Sequence, residues 1–389
     1  MNNIQRGIIA LLKSAITEQA FPLPKVFDME TACSEIRRHH MIALAYDGAV
    51  RCGISVKTPV MQKLFQGSLK SFIVSQRQLQ QIGKIYEAFD ENGIDYMPVK
   101  GCNMKALYPK PELRTMGDAD ILIRMEQYHR IRPILEELGF RETGDSDHEL
   151  IWQNDALYLE LHKRLIPSYN QDFYAYFGAG WKLAKEKNGT RYAMTAEDEW
   201  IFLFTHFSKH FRDGGIGCRH VVDLWVYLRS RPHLDEDYVA TQLKKLQLFD
   251  FYENIRQLLA FWFEDAQADD KTEFISEYIF ASGSWGGVES RVLSRAVRDS
   301  RRARLGMNGR LRYLWQTAFP SVQRLKGKYT VLKKAPYLLP AVWLIRPFYK
   351  VLFERSSLKQ HGRNMEALSK DGIQTRRQLL NYVGLDYGF

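Results

Sequence analysis

Residues 95–123, DYMPVKGCNMKALYPKPELRTMGDADILI, constrain this chain more than any other stretch. An apolar run, Tyr96–Val99, delivers the backbone into Lys100-Gly101. Pro109, Pro111 and Gly117 then force a turn, after which Asp118-Ala119-Asp120-Ile121-Leu122-Ile123 reads as a second strand. Side chains alternate along a strand. Asp118, Asp120 and Leu122 are therefore expected on one face, with Ala119, Ile121 and Ile123 on the other. Two carboxylates backed by an apolar face form an oxygen-rich place for a divalent cation.

The Asp-x-Asp pattern alone discriminates little, because the chain holds two more, Asp145/Asp147 and Asp235/Asp237. Neither is followed by an apolar run of the Ile121–Ile123 kind, and both read as a solvated loop or a helix start. Asp118/Asp120 differ in having a Lys-Gly loop upstream and a third acid, Glu160, downstream. The run Ala156–His162 alternates, with Leu157, Leu159 and Leu161 on one face and Tyr158, Glu160 and His162 on the other. A preceding run, Glu149 to Gln153, joins it through the turn-prone pair Asn154-Asp155, so the two read as a hairpin.

A glycine loop, then Asp-x-Asp on a strand, then an acid on a later strand is the order of the polymerase-beta-like nucleotidyltransferase superfamily. More narrowly, VKGCNMKALYPKPELRTMGDADILI with YLELHKRL resembles a bacterial family of uncharacterised nucleotidyltransferases. The likeness covers residues 75–168, with weaker echoes at HFSKHFRDGGIGCRHVVDLWVYL (206–228) and KKAPYLLPAVWLIRP (333–347). It implies an enzyme that moves an NMP group from an NTP to an acceptor and releases pyrophosphate. The acceptor is open: a small hydroxylated molecule, a sugar or a protein. Asp118, Asp120 and Glu160 would be the catalytic and metal-binding carboxylates, holding Mg2+ or Mn2+. Lys100, Gly101 and Arg114 would bind the nucleotide, although Lys100 also reads as a surface cation. His162, facing the same way as Glu160, would order the second metal or contact substrate, or be a half-buried hydrogen-bonded histidine. Cys102 departs from the superfamily, which usually places serine or glycine after the loop glycine, so a hydroxyl contact to phosphate is missing. A degenerate module of the same fold, binding nucleotide or a partner without turnover, is the competing reading.

Periodicity gives an α+β fold: a small mixed β-sheet core with helical N-terminal and C-terminal flanking regions. The expected divisions are 1–75 (helical region), 76–168 (core), 169–305 (helical domain) and 306–389 (basic C-terminal region). A helix is expected over Phe65–Asn92, ending at Gly93. Another spans Arg124–Gly139, where Pro133 implies either a late start near Arg132 or a kink. Thr195-Ala-Glu-Asp caps a helix through Phe207, Gly214, Gly215 and Gly217 break it, and Val221–Leu228 resumes as helix. Two or three more helices are expected over 235–305.

Charge is unevenly spread. Residues 291–389 carry 21 Lys and Arg against 5 Asp and Glu, a net of +16, while residues 1–290 net −6. Arg291, Arg295, Arg298, Arg301 and Arg302 recur at helical spacing and suit phosphates or an acidic partner. The apolar and aromatic run Tyr337–Phe353, with Arg346 and Lys350, suits an anionic membrane surface. Packing of this region on the acidic body is the plainer reading and the preferred one. Nucleic acid fits less well, since the body would repel it and aromatics do not interleave with the arginines.

The four cysteines, Cys33, Cys52, Cys102 and Cys218, form no Cys-x-x-Cys pair. That excludes a zinc knuckle or a disulfide framework and fits a reducing compartment. No secretory signal is evident, since Lys13 interrupts the apolar Gly7–Leu12, so the cytoplasm is the expected location. His206 and His210 lie four apart on a helix, a spacing that can bind metal, and are read as structural.

Overall fold

The computed structural model describes residues 1–168 and 170–283, and beyond these 293, 315, 318–320, 322–325, 329, 331–353 and 370–385. They divide into two units, one built from Met1–Lys209 and Ile216–Ser284, the other from His210–Gly215 and described residues beyond 284.

The first unit opens with three helices, α1 (Asn3–Thr17), α2 (Met29–Arg38) and α3 (Ile42–Arg51). Asn2 and Gln5 form a reciprocal capping box on α1, satisfying two N–H groups that a helix start leaves without partners. Helix α4 (Pro59–Glu91) begins six residues before the expected Phe65. Its start is set by the Thr58 cap and by Pro59, whose missing N–H is harmless in a first turn. It ends where expected, with Gly93 at φ +59°, a conformation glycine adopts without strain.

From α4 the chain enters β1 (Tyr96–Val99), the short helix α5 (Gly101–Met104) and β2 (Ala119–Ile123). Asp118 lies just before β2 rather than opening it. Helix α6 (Tyr128–Glu137) follows with Pro133 inside it, so of the two expected outcomes the late start is excluded. Then come β3 (Arg141–Asp145), β4 (Glu149–Gln153) and β5 (Tyr158–His162). The β4–β5 hairpin closes as read, because Asn154 Oδ1 accepts the N–H groups of Ala156 and Leu157 at 3.0 and 2.9 Å. Helix α7 (Gln171–Phe177), the edge strand β6 (Lys185–Asn188) and its neighbour β7 (Arg191–Ala193) complete the region. The periodicity did not resolve these strands, since they are short and polar, β6 exposed throughout and β7 half-buried.

The sheet is mixed and seven-stranded, in the order β3-β4-β5-β2-β1-β7-β6. β2 lies antiparallel to β1 and parallel to β5. One face carries the core: Ile121 and Ile123 of β2, Leu159 and Leu161 of β5, and Trp152 of β4. They pack on Ile82, Ile85 and Phe89 of α4 and on Ile131 and Leu135 of α6. Removing these side chains from water drives the packing, and it leaves the opposite face of β2 and β5 for polar groups.

Four helices follow: α8 (Ala196–Asp213), α9 (Cys218–Ser230), α10 (Glu236–Lys245) and α11 (Phe249–Phe263), then α12 (Asp270–Ser282). Thr195 Oγ1 accepts the Asp198 N–H at 3.1 Å, as the capping pattern requires. In the second unit, the helices Leu339–Phe353 and Lys370–Tyr382 are described, and Leu325, Leu332 and Val342 form a small core. The arginine series Arg291–Arg302 lies outside the described residues. Among the described residues no helix is long and apolar enough to cross a membrane.

Candidate active site

Asp120 sits in the middle of the sheet, and both of its neighbours supply polar groups to it. On β1 it pairs with Val99, the residue before Lys100; on β5 it pairs with Glu160, and Leu122 pairs with His162. Parallel pairing in this register puts Asp120, Glu160 and His162 on one face. Their ligand atoms all lie within 4.8 Å of one another. The His162 Nε2–H donates to Asp120 Oδ1 at 2.8 Å and lies 3.6 Å from Glu160 Oε2. The Lys100 ammonium donates to the same Asp120 oxygen at 2.7 Å. Asp118, half-buried before the strand, lies outside this triad.

The electrostatics follow from burial and proximity. Burial opposes the charge on Asp120, but the Lys100 ammonium and then His162 prevail and hold its carboxyl well below the usual carboxylate range. Burial likewise opposes the charged form of Lys100, yet the Asp120 carboxylate raises it. His162 is pulled down by burial and by Lys100, and raised on balance by its bonds to Asp120 and Glu160. Asp118 is pushed up to about 6, first by burial and then by the carboxylates of Asp120 and Glu160. The two carboxylates, Asp120 kept ionised, are oxygen donors suited to Mg2+ or Mn2+, and His162 would join them only on giving up the Nε2 proton it shares with Asp120. The residues therefore fit the cation that the sequence pattern implied. The buried His162 Nδ1 has no hydrogen-bond partner among the described residues.

Gly101 and Arg114, expected at the nucleotide, lie in a buried network beside the triad. A Cβ at Gly101 would stand 3.2 Å from Met116 Cγ and 3.3 Å from Arg114 Nη1, a tight contact to which these side chains would have to yield. Arg114 is buried and bonds Asp223 of α9 with both ends of its guanidinium. Tyr108 donates its hydroxyl proton to Asp223 Oδ1 at 2.7 Å, and Lys105 Nζ donates to the Arg114 carbonyl at 2.7 Å. Arg219, one turn before Asp223, donates to the Thr115 carbonyl at 2.8 Å. Asp223 and Arg219 were missed in the sequence. The available signal was a charged pair four residues apart inside the otherwise apolar helix CRHVVDLWVYL.

Cys102 is half-buried, and burial pushes its thiol up to about 12, so little thiolate exists at neutral pH. His206 and His210 both have partners within the fold.

A model of a protein family described as uncharacterised nucleotidyltransferase matches residues 25–264, more than half of the chain. No curated protein matches it. Among solved structures, the solution structure of the antibiotic-resistance factor ANT(2″)-Ia is similar, with 14% identity and a TM-score of 0.33. That match covers 47% of this chain and 94% of the other.

Proposed function

The chain belongs to the family of uncharacterised nucleotidyltransferases, and on that footing we propose that it is a metal-dependent enzyme transferring NMP from an NTP to an acceptor that is a small hydroxylated molecule, a sugar or a protein. The observation that carries this reading is the Asp120–Glu160–His162 triad, with ligand atoms within 4.8 Å of one another on one sheet face.

Asp120, Glu160 and His162 would hold the cation, with Asp118 beside them on the nucleotide side. A divalent ion, when bound, neutralises charge on the phosphates and on the attacking and leaving oxygens. Lys100 would bind the triphosphate, and Gly101 lets its loop approach closely. Arg114, held by Asp223, would shape that loop from within. In the transfer an acceptor oxygen forms a bond to the α-phosphorus, and the bond from that phosphorus to the pyrophosphate oxygen breaks. Glu160, on the neighbouring strand, would take the acceptor's proton at a carboxylate oxygen.

The test compares wild type with Glu160→Gln, each incubated with labelled NTPs, Mg2+ or Mn2+, and a mixture of small molecules and proteins. Wild type is expected to transfer label, while the variant binds nucleotide but transfers roughly a hundredfold less or worse. Equal transfer by both would remove Glu160 from the chemistry. Absence of pyrophosphate release in either, whatever the acceptor, would favour the non-catalytic module.

A further inference from the structure

At the acidic triad, the Lys100 ammonium already gives Asp120 the positive charge that a bound cation would give it. Its Nζ stands 2.7 Å from Asp120 Oδ1 and 3.5 Å from His162 Nε2. Glu160 and Asp118 both lie within its electrostatic reach. The side chain is only 17% exposed and Asp120 only 4%, so solvent screens this pair little.

The backbone at this point is unusual. Lys100 has φ 48° and ψ −115°, close to the first central residue of a type II′ turn, a position dominated by glycine. Among the described residues of the Lys-Gly pair, the one at positive φ is the lysine. So sparsely populated a region is kept by a residue other than glycine where the surroundings over-determine it. Here the surroundings are the triad that receives the ammonium.

We propose that Lys100 is a resident counter-cation of the Asp120–Glu160–His162 triad, which a divalent ion must displace, and that the displaced ammonium then takes a triphosphate oxygen. The inference rests on the metal-dependent reading above. Two cations cannot share Asp120 Oδ1 comfortably, because an ammonium and a divalent ion a few ångströms apart repel strongly where solvent screens little. The lysine stem is long and flexible, so the ammonium can leave without moving the strand. Nucleotide brings the negative charge that receives it. Metal and nucleotide are thereby coupled through one side chain.

The experiment measures Mn2+ binding by electron paramagnetic resonance, and NTP binding in Mn2+ by calorimetry, for the full chain. Wild type is compared with Lys100→Met, which keeps a long stem without charge. Lys100→Gly is the second variant, since it removes the charge and also relieves the backbone, guarding against a folding failure. Both variants should bind Mn2+ roughly tenfold more tightly or better, because the lysine no longer competes. Their metal-dependent NTP affinity should fall roughly tenfold, since the phosphate contact is gone. A merely structural lysine would not move the two affinities in opposite directions. Mn2+ affinity that is equal or weaker in both folded variants overturns the exchange and leaves the metal site standing. Tighter Mn2+ with unchanged NTP affinity overturns the transfer of the ammonium to phosphate. If none of the three folded proteins binds Mn2+, the metal-dependent reading itself fails.

Discussion

Arg114 sets its Nε 2.8 Å from Asp223 Oδ1 and its Nη2 3.0 Å from Asp223 Oδ2, a two-pronged bond between residues 109 positions apart. It joins the turn after α5 to helix α9. Burial disfavours the charged guanidinium, but the Asp223 carboxylate more than offsets this and raises Arg114 above its ordinary value. The same arginine packs against Gly101, so a carboxylate on a distant helix helps to shape the loop beside the triad.

Breaking this pair from one side leaves a buried charge without its partner. Arg114→Met or Asp223→Leu is expected to destabilise the protein by roughly 3–5 kcal/mol. The double variant should lose less than the sum of the two, since neither charge is then stranded. Urea unfolding of the three variants checks this. Additive losses would show that the two side chains are not coupled.

Asp120 and Asp118 should differ, although both belong to one Asp-x-Asp motif. Asp120→Asn is expected to weaken Mn2+ and Mn2+–NTP binding by roughly a hundredfold or more, since it loses a carboxylate from within the triad. Asp118→Asn should weaken both less, because Asp118 stands outside it. Calorimetry on both variants, with melting curves to confirm folding, decides. Unchanged affinity in both would take the site away from this strand.

His39 makes the fold sensitive to acid. Its Nδ1 accepts the Cys218 N–H at 3.2 Å, and its Nε2 faces the Phe280 carbonyl at 3.2 Å. Burial, and then the nearby Arg38, pushes it down from 6.5 to about 4. The unfolded chain therefore takes up a proton at a pH where the folded chain does not. This contribution is full above pH 6.5 and is lost as pH falls towards 4. Its size is roughly 3 kcal/mol. Urea unfolding at several pH values should show a shallower acid loss for His39→Gln than for wild type. Parallel curves would assign the acid sensitivity to other groups.

A docking role for the basic C-terminal region would act through its charge, and salt tests it. On the helix Leu339–Phe353, Leu344 and Ile345 are exposed, and Arg346 and Lys350 are its charged residues. Co-sedimentation with anionic liposomes should show binding at low salt that weakens steeply as salt rises. Failure to bind at any salt concentration would leave packing within the protein as the explanation.

Several features were legible in the sequence because they depend on neighbours along the chain. Asn154-Asp155 marks a turn by side-chain-to-backbone bonding, and the alternation of Leu157, Leu159 and Leu161 names the buried face. Gly93 and Thr195 end and begin helices by local backbone geometry. The same period placed Glu160 and His162 together on the other face. What only the tertiary structure decided depends on pairings across long separations. The parallel register of β2 and β5 sets Asp120 beside Glu160 and brings in His162 while leaving Asp118 outside the triad. The backbone turn at Lys100 directs its ammonium onto Asp120, and α9 arrives with Asp223 to claim Arg114. A period in the sequence tells which face a side chain takes. It does not tell which charge will meet it there, because a buried charge is tolerated only once its partner has been brought in by the fold.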